Sequence, residues 1–278
     1  MPSPPAFPDS PDVEPGRPRL RSERDGVVSL TGLDTLPPDL DAAAAVVSSL
    51  LERAFGEGQH RVEAEIRVDD AATRRALQRA GLRPEGTARG RRLGSGGIPV
   101  DVLRLARLAT DPAPGDPGAF LGMLNATLPR KRVIAQGIIT DGEGRLLLCE
   151  LTYKDHWDLP GGVVDPEESP AQTLARELRE ELGVDLEVGD LLAVNWLPVY
   201  RQWEDAMLLV FDVGRHPDLA DRAQLQPTEL RGLHWVAVDD VDAHVAPYVA
   251  RMIRSLQHRE PGGTIVLEDG SPRHDETP

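Results

Sequence analysis

The pattern of apolar and polar positions predicts two folded regions along this chain. In the first, an Ala-, Val- and Leu-rich stretch over residues 40–55 is typical of a helix that stops at the glycines after it. Residues 61–68 alternate as a half-buried strand does, and a helix over residues 71–80 follows. Two further strand-like segments flank a Gly-rich turn at 94–97. These elements predict a small α/β domain over residues 25–108.

The second folded region begins after a segment rich in proline and glycine. Residues 109–118 contain few side chains able to join a core and predict a linker. Strands are predicted near 132–140 and 144–151, and residues 141–144 supply the turn between them. We therefore predict that a second domain spans residues 119–270.

The two ends of the chain lack this patterning. Residues 1–24 are rich in proline, with too little apolar surface to offset the entropy of ordering, and predict a disordered arm. Residues 271–278 predict a loose tail. The chain start does not resemble a signal peptide, and no apolar run approaches about 18 residues. We therefore expect a cytoplasmic protein with no membrane partner.

The formal net charge of −15 favours small-molecule chemistry or an acidic metal site. Nucleic acids and anionic membranes attract basic surfaces, so we expect no nucleic-acid partner. Cys149 is the only cysteine, which excludes an intrachain disulfide. It lies in an apolar run and is predicted to be a small buried side chain.

One segment of the second domain has clear helix boundaries. Ser169 is an N-cap residue, Pro170 suits the first helical position, and Gln172 completes a capping box. Gly183 suits the left-handed conformation that ends a helix. The apolar residues in between fall on one stripe, which can face a core.

Three acidic residues lie beside that apolar stripe. At 100° per residue, Glu177, Glu180 and Glu181 fall within an arc of about 100°. Like charges four residues apart destabilise a helix by roughly a few tenths of a kcal/mol per pair, a cost that a bound cation would remove. Hard oxygen ligands select Mg²⁺ or Mn²⁺. The alternative is a solvated face on which Arg176 and Arg179 pair with these glutamates.

The loop before this helix favours the metal site. Leu159-Pro160-Gly161-Gly162 lets the backbone approach a bound ion or phosphate closely, with its carbonyls free to bind. Asp165, Glu167 and Glu168 add acidic residues beside the same place.

The same residues resemble a known family signature. The chain resembles the complete Nudix box over residues 162–184, with all nine specified positions filled: Gly162, Glu168, Arg176, Glu177, Leu178, Glu180, Glu181, Gly183 and Val184. The resemblance extends over roughly residues 120–260, including Trp157 to Gly161 before the box.

The resemblance implies a fold and a reaction. It implies an α/β/α sandwich with a mixed sheet, so the whole chain is predicted to be α+β. It also implies hydrolysis of a diphosphate linked to another group. Mg²⁺, or Mn²⁺, held by Glu177, Glu180 and Glu181 would polarise the phosphoryl group and lower the pKa of a bound water that attacks phosphorus.

Further roles follow from the resemblance. The carbonyl of Gly161 would be an additional metal ligand, and Gly162 would belong to the substrate loop. Arg176 would orient a glutamate by a charge-assisted hydrogen bond, and Glu168 would support the loop and the metal shell.

The general base and the activity itself have alternatives. Either Glu177 or Glu229 could accept the proton, and a capping or surface role is at least as good an interpretation of Glu229. Instead of a hydrolase, the domain could be a sensor or regulator that binds a nucleotide metabolite with little turnover. A homodimer is compatible with the resemblance.

The substrate is expected to be a nucleoside triphosphate, ADP-ribose or a nucleotide sugar, and the residues do not rank these. Pro198 and Tyr200 stand where different branches of the family carry different markers, and both are present. Trp196, Trp203 and Tyr200 could stack on a base, but aromatic residues in strands favour the core.

The first domain carries a second resemblance. The run from His60 to Gly81, followed by Pro84-Glu85-Gly86, is similar to the second half of a GNAT-type N-acetyltransferase. That fold needs a Gly-rich loop before its central helix to bind the cofactor pyrophosphate. Residues 35–40 contain no glycine and carry two prolines. We therefore predict a GNAT-like, non-catalytic half-domain used for packing, dimerisation or substrate selection.

Overall fold

The computed structural model describes residues 17–201 and 203–272, which form two compact units. The first lies within Met1–Pro129 and the second within Arg130–Pro278. Each unit has its own sheet and its own hydrophobic core. Over these described ranges, no helix is both long and apolar enough to cross a membrane.

The first unit is a five-stranded sheet with two helices packed on one face. The strands are β1 (Arg19–Arg24), β2 (Val27–Thr31), β3 (Arg61–Arg67), β4 (Arg83–Leu93) and β5 (Pro99–Leu108), in the order β1-β2-β3-β5-β4, and the helices of the unit are α1 (Leu40–Gly56), α2 (Ala71–Arg79) and α3 (Pro117–Thr127). Leu51 of α1 and Leu77 of α2 are fully buried in one cluster with Val62 and Ala64 of β3. The helices and strands predicted between residues 40 and 108 are therefore confirmed.

Two boundaries of this unit differ from the sequence prediction. Arg19–Arg24, assigned to a disordered arm over residues 1–24, form β1, because Leu20 is buried and the strand pairs with β2. Residues 1–16 lie outside the described residues. Helix α3 begins within the predicted linker, at Pro117, and belongs to the first unit. The domain limits 25–108 and 119–270 stay predictions.

The second unit contains an eight-stranded mixed sheet. Its strands are β6 (Arg132–Thr140), β7 (Arg145–Leu151), β8 (Gly161–Val163), β9 (Leu191–Leu197), β10 (Ala206–Arg215), β11 (Leu230–Ala237), β12 (Ile265–Glu268) and β13 (Ser271–Pro272), and its helices are α4 (Pro170–Leu182), α5 (Leu219–Arg222) and α6 (Pro247–Gln257). The strand order is β11-β7-β6-β10-β9-β12-β13, with β8 paired to β6. The β10–β6 and β12–β9 pairs are parallel, and the other pairs are antiparallel.

This sheet lies between α4 and α6. Leu147 and Leu148 alternate along β7, so their side chains reach opposite faces. Leu147 joins a buried cluster with Leu178 of α4, whereas Leu148 joins a cluster with Met252 of α6. The α/β/α layering predicted for this part of the chain is confirmed.

Helix α4 has the boundaries that its capping residues predict. The Ser169 hydroxyl accepts a hydrogen bond from the Gln172 amide, and the Gln172 side chain accepts one from the Ser169 amide. Gly183 ends the helix with a φ of 68°. Because its start, its end and its buried stripe are set, the acidic residues of α4 have a defined position beside β8.

Candidate active site

An aromatic stack holds the chain that leads into β8. The Trp157 ring lies between His234, with centroids 3.9 Å apart, and His244, with centroids 4.2 Å apart. The Trp157 amide also donates to the His244 carbonyl at 2.8 Å. Asp158 and Cys149 exchange two backbone hydrogen bonds. His234 and His244, which are distant from Trp157 in sequence, therefore pack around the start of the loop that leads into β8.

Two glycines allow this loop to touch both β6 and α4. Gly161 has a φ of 133°, and a side chain there would collide with the Ala135 carbonyl. A Cβ on Gly162 would overlap the Glu177 carboxylate. The close approach of β8 to α4 thus depends on the absence of side chains at both positions.

Glu181 is buried beneath this loop. Its residue surface is 5% exposed, and its carboxylate accepts a 3.4 Å hydrogen bond from the Gly161 amide. Burial, together with the charge of Glu177, raises the pKa of Glu181 to about 8. In the described part of the chain, no ion pair involves Glu181. A buried carboxylate without a cationic partner is costly when ionised.

Glu177 stands beside it on the same helix. Burial raises the pKa of Glu177, although the Arg176 guanidinium acts in the opposite direction. Arg176 donates to Glu177 at 3.0 Å and to Glu180 at 2.9 Å. Glu180 is the most exposed of the three helix glutamates, since its side chain is 54% exposed.

Arg176 also reaches back to the loop before the helix. Its Nε and Nη2 atoms each lie 3.1 Å from an oxygen of Glu168. The Thr173 hydroxyl donates to the same carboxylate at 2.7 Å. Hydrogen bonds from Arg176 and Thr173 lower the pKa of Glu168. Glu168 is therefore held as an anion between the loop and α4.

The donor set fits a hard divalent cation. Glu177 and Glu181 are largely buried, and a cation would compensate their desolvation better than the single Arg176 contact does. Among the described residues, no group of three His, Cys, Asp or Glu side chains already stands in metal-binding geometry. Arg176 holds Glu177 and Glu180 instead, so a cation would have to replace these contacts.

Glu229 faces the same cluster from the loop before β11. Its charge contributes to the raised pKa values of both Glu177 and Glu181. Its carbonyl accepts a hydrogen bond from the Thr152 amide at 2.8 Å. The structure thus brings a distant loop acid near the helix glutamates, which sequence spacing alone does not reveal.

A buried polar group beside the site was not predicted. Asp158 accepts hydrogen bonds from Gln136 and from Lys154, both at 2.9 Å, and its charge adds to the raised pKa of Glu181. The Gln136 Oε1 atom is buried and has no hydrogen-bond partner. The available signal was a charged residue placed between the apolar residues Trp157 and Leu159.

The prediction that the nearby aromatic residues lie in the core was wrong. Trp196 is 37% exposed, Tyr200 62% and Trp203 59%. Trp203 lies under the Arg132 guanidinium, 4.6 Å from the ring centroid to Cζ. Trp196 lies within β9 at an exposed position, whereas Tyr200 and Trp203 follow the end of β9 at Leu197, where the chain leaves the sheet.

Residues 130–257 match the family model of the NUDIX domain. The match contains the complete box and the helices on both sides of the second sheet. The NUDIX domain predicted for this part of the chain is therefore confirmed. The match does not include the first unit, whose resemblance to N-acetyltransferases stays a prediction.

Relatives match part of the chain. A MutT-like protein of Streptomyces ambofaciens is 27% identical over 134 residues, which are 48% of this chain and 82% of that protein. An 8-oxo-dGTP diphosphatase of Proteus vulgaris is 38% identical over 61 residues, 20% of this chain and 54% of that protein. This chain thus matches about half the length of the second relative. The crystal structure of a MutT protein from Methanosarcina mazei Go1 has a TM-score of 0.42 and 23% identity, and covers 48% of this chain and 97% of that chain.

The domain defines an enzyme class. Relatives are named as diphosphatases and pyrophosphohydrolases, and the prediction of a hydrolase that acts on phosphoric anhydrides is confirmed at this level. Nudix hydrolases generally use divalent metal ions.

Proposed function

We propose that the second unit is a Mg²⁺-dependent pyrophosphohydrolase acting on a nucleoside-diphosphate-linked small molecule. Mg²⁺, replaceable by Mn²⁺, would be held by Glu177, Glu180 and Glu181, with the Gly161 carbonyl as an additional ligand. The observation that carries the proposal is the burial of Glu181 beside Glu177, without any ion-pair partner for Glu181 among the described residues. A divalent cation bound there would supply the missing positive charge.

The residues of the chain have distinct tasks in this proposal. A divalent cation, when bound, polarises the phosphoryl oxygens and activates water for attack on phosphorus. Arg176 and Glu168 position the glutamates through hydrogen bonds of 2.9 to 3.1 Å. Gly162 leaves room for the Glu177 carboxylate against β8.

The general base is Glu177 or Glu229. Burial raises the pKa of Glu177, which makes its carboxylate a better proton acceptor near neutral pH. Glu229 is near enough for its charge to influence both helix glutamates. The two assignments differ in one respect: loss of Glu177 would also disturb cation binding, whereas loss of Glu229 would slow turnover and leave cation affinity intact.

Nucleoside triphosphates are the first substrate class to test, with ADP-ribose and nucleotide sugars beside them. The relatives named as MutT-like and as 8-oxo-dGTP diphosphatases support this order. The exposed rings of Tyr200 and Trp203 offer a surface on which a base could stack.

A substrate screen tests the function, with nucleoside monophosphates, pyrophosphate and sugar phosphates separated by chromatography. Normal and oxidised nucleoside triphosphates, ADP-ribose, nucleotide sugars and dinucleoside polyphosphates would be incubated with Mg²⁺, with Mn²⁺ and with EDTA. We expect turnover of at least one compound with either metal and none with EDTA. Saturable binding of a nucleotide without turnover would instead support a sensor, and activity in EDTA would contradict the metal site.

A further inference from the structure

Three arginines from β4 and β5 converge on the Glu65 carboxylate of β3 in the first sheet. Arg91 Nε and Arg104 Nε lie 3.6 Å and 3.3 Å from Glu65 Oε1, and Arg92 Nη2 lies 3.5 Å from Glu65 Oε2. Strand β4, which carries two of them, is the last strand in the sheet order. Because guanidinium groups stay protonated, this cluster has a local net charge of +2 in a chain of net charge −15.

A bulge in β4, the edge strand of the sheet, contains Arg91 and ends at Arg92. Ala88 pairs with Val102 and Arg92 with Val100, so three residues of β4 stand opposite the single residue Asp101. Gly90, in the middle of the bulge, has a φ of 59°, and its amide donates to the Asp101 carboxylate at 2.7 Å. The bulge therefore has its own anchor and directs the arginine-rich stretch away from regular pairing.

The stability of the fold does not explain this concentration of charge. The three arginine side chains are 53–58% exposed, and each makes one long contact with Glu65. Arg61 in the same sheet instead forms two parallel bonds with Glu85, at 2.9 and 2.5 Å. Exposed pairs of the first kind stabilise a protein little. Most N–H donors of the cluster are thus left for solvent or a ligand.

The neighbouring acidic residues are already engaged elsewhere. Glu63 pairs with Arg61, and Asp69 pairs with Arg67 at 2.6 Å. Asp101 accepts the amide hydrogen bond inside the bulge. Hydrogen bonds from Arg61, and also the charge of Arg104, lower the pKa of Glu85, whose carboxylate is held by Arg61. Among the described residues, Glu65 is therefore the carboxylate within ion-pair distance of the three arginines, which leaves room for an anion from solution.

We propose that Arg91, Arg92 and Arg104 bind the di- or triphosphate group of a small ligand. The planar guanidinium fork matches phosphate oxygens with paired hydrogen bonds. Convergence on one point suits a compact, multiply charged group better than an extended chain. Residues 61–108 contain no Phe, Tyr or Trp, so the three strands that carry the cluster supply no ring on which a base could stack. The site lies in the first unit and does not depend on the proposed hydrolysis.

Calorimetric titration of the full chain with inorganic pyrophosphate tests the site. EDTA is present so that divalent cations do not bring the ligand to the second unit. We expect saturable binding that weakens with salt, and roughly tenfold weaker binding in each of Arg91→Gln, Arg92→Gln and Arg104→Gln. Arg67→Gln is the matched control, because two bonds hold Arg67 on Asp69. Equal losses in all four variants would contradict a specific site.

Glu65→Gln separates a ligand site from a structural ion-pair cluster. If Glu65 occupies the place of the ligand, this variant should bind pyrophosphate several-fold more tightly, with an unchanged circular dichroism spectrum. Unchanged or weaker binding in a folded Glu65→Gln protein would overturn the proposal. ATP should bind about as well as pyrophosphate. Binding of a 5′-triphosphorylated oligoribonucleotide alone would contradict a small ligand, and so would the absence of binding by every probe.

Discussion

Gly162 lies so close to Glu177 that a single methyl group on its α-carbon would overlap the Glu177 carboxylate. Gly161 instead lies against the backbone of β6, because a side chain there would meet the Ala135 carbonyl. Gly162 thus makes room for the Glu177 side chain, and Gly161 makes room for the sheet. We therefore expect substitution of Gly162 to change activity and substitution of Gly161 to change stability.

Gly162→Ala should lower turnover at least about tenfold with a small loss of stability, because Glu177 can rotate away from the new methyl group. Gly161→Ala should destabilise the fold by about 1–3 kcal/mol, since its backbone conformation and the fixed carbonyl of Ala135 both oppose a side chain. Thermal unfolding and initial rates would be measured for both. Gly56→Ala is the control, because nothing lies within 4 Å of the added carbon. Equal activity of Gly162→Ala and the wild type would refute this account.

Glu177→Gln and Glu181→Gln should each reduce turnover by at least about 100-fold while leaving the fold intact, because each removes a charge from the cation site. In the absence of metal, Glu181→Gln should be at least as stable as the wild type, since a neutral amide avoids the burial of a carboxylate. Rates with Mg²⁺ and circular dichroism would be compared, with the exposed Glu187→Gln as control. Wild-type rates in both variants would show that the site assignment is wrong.

Hydrolysis in H₂¹⁸O should place the label on a phosphoryl product, because the proposed water attacks phosphorus. Mass spectrometry of both products locates the oxygen, and the label pattern identifies which phosphorus is attacked. A reaction run in unlabelled water gives the baseline. Label found only on a sugar carbon would mean cleavage of a glycosidic bond.

Residues 130–278 alone should fold, because helices of this unit cover both faces of its sheet. The fragment should keep cation-dependent hydrolysis, because it contains every proposed ligand. Specific activity and sedimentation would be compared with the full chain, so that a loss of activity can be matched to a loss of dimer. The isolated residues 17–129 should bind acetyl-CoA no more tightly than inorganic pyrophosphate, because they lack a cradle for the rest of the cofactor. An inert second unit at all concentrations would show that the two units depend on each other.

Asp141→Asn should destabilise the second unit at pH 7 in a pH-dependent way. Burial of Asp141 opposes its ionisation, but hydrogen bonds from the Glu143 amide (2.7 Å) and from Arg145 outweigh burial and lower the pKa of Asp141. A lowered folded-state pKa stabilises the protein above the unfolded pKa of about 4, and this stabilisation disappears as the pH falls through the folded value.

The measurement for Asp141 is urea unfolding at several pH values. The difference in unfolding free energy between Asp141→Asn and the wild type should shrink as the pH falls below about 4. Glu143→Gln is the control, because its side chain is 77% exposed. A difference that stays constant over this range would mean that the Asp141 charge does not matter.

The sequence by itself determined the features that depend on neighbours along the chain. Ser169 and Gly183 set the ends of α4, and the helical period brings Glu177, Glu180 and Glu181 to one side of it. These features rest on capping and periodicity, which act over a few residues. The α/β/α class of the second unit was predicted only through the resemblance of these residues to the Nudix box.

Only the tertiary structure decided the features that depend on distant segments. Burial, together with the charges of Glu177 and Glu229, raises the pKa of Glu181, although the hydrogen bond from the Gly161 amide lowers it. Both the burial and the charge of Glu229 require distant segments to pack around α4. The convergence of Arg91 and Arg104 on Glu65 requires three strands to pair in register. Burial and electrostatic potential are sums over everything that surrounds a side chain, so a one-dimensional pattern contains the residues but not their environment.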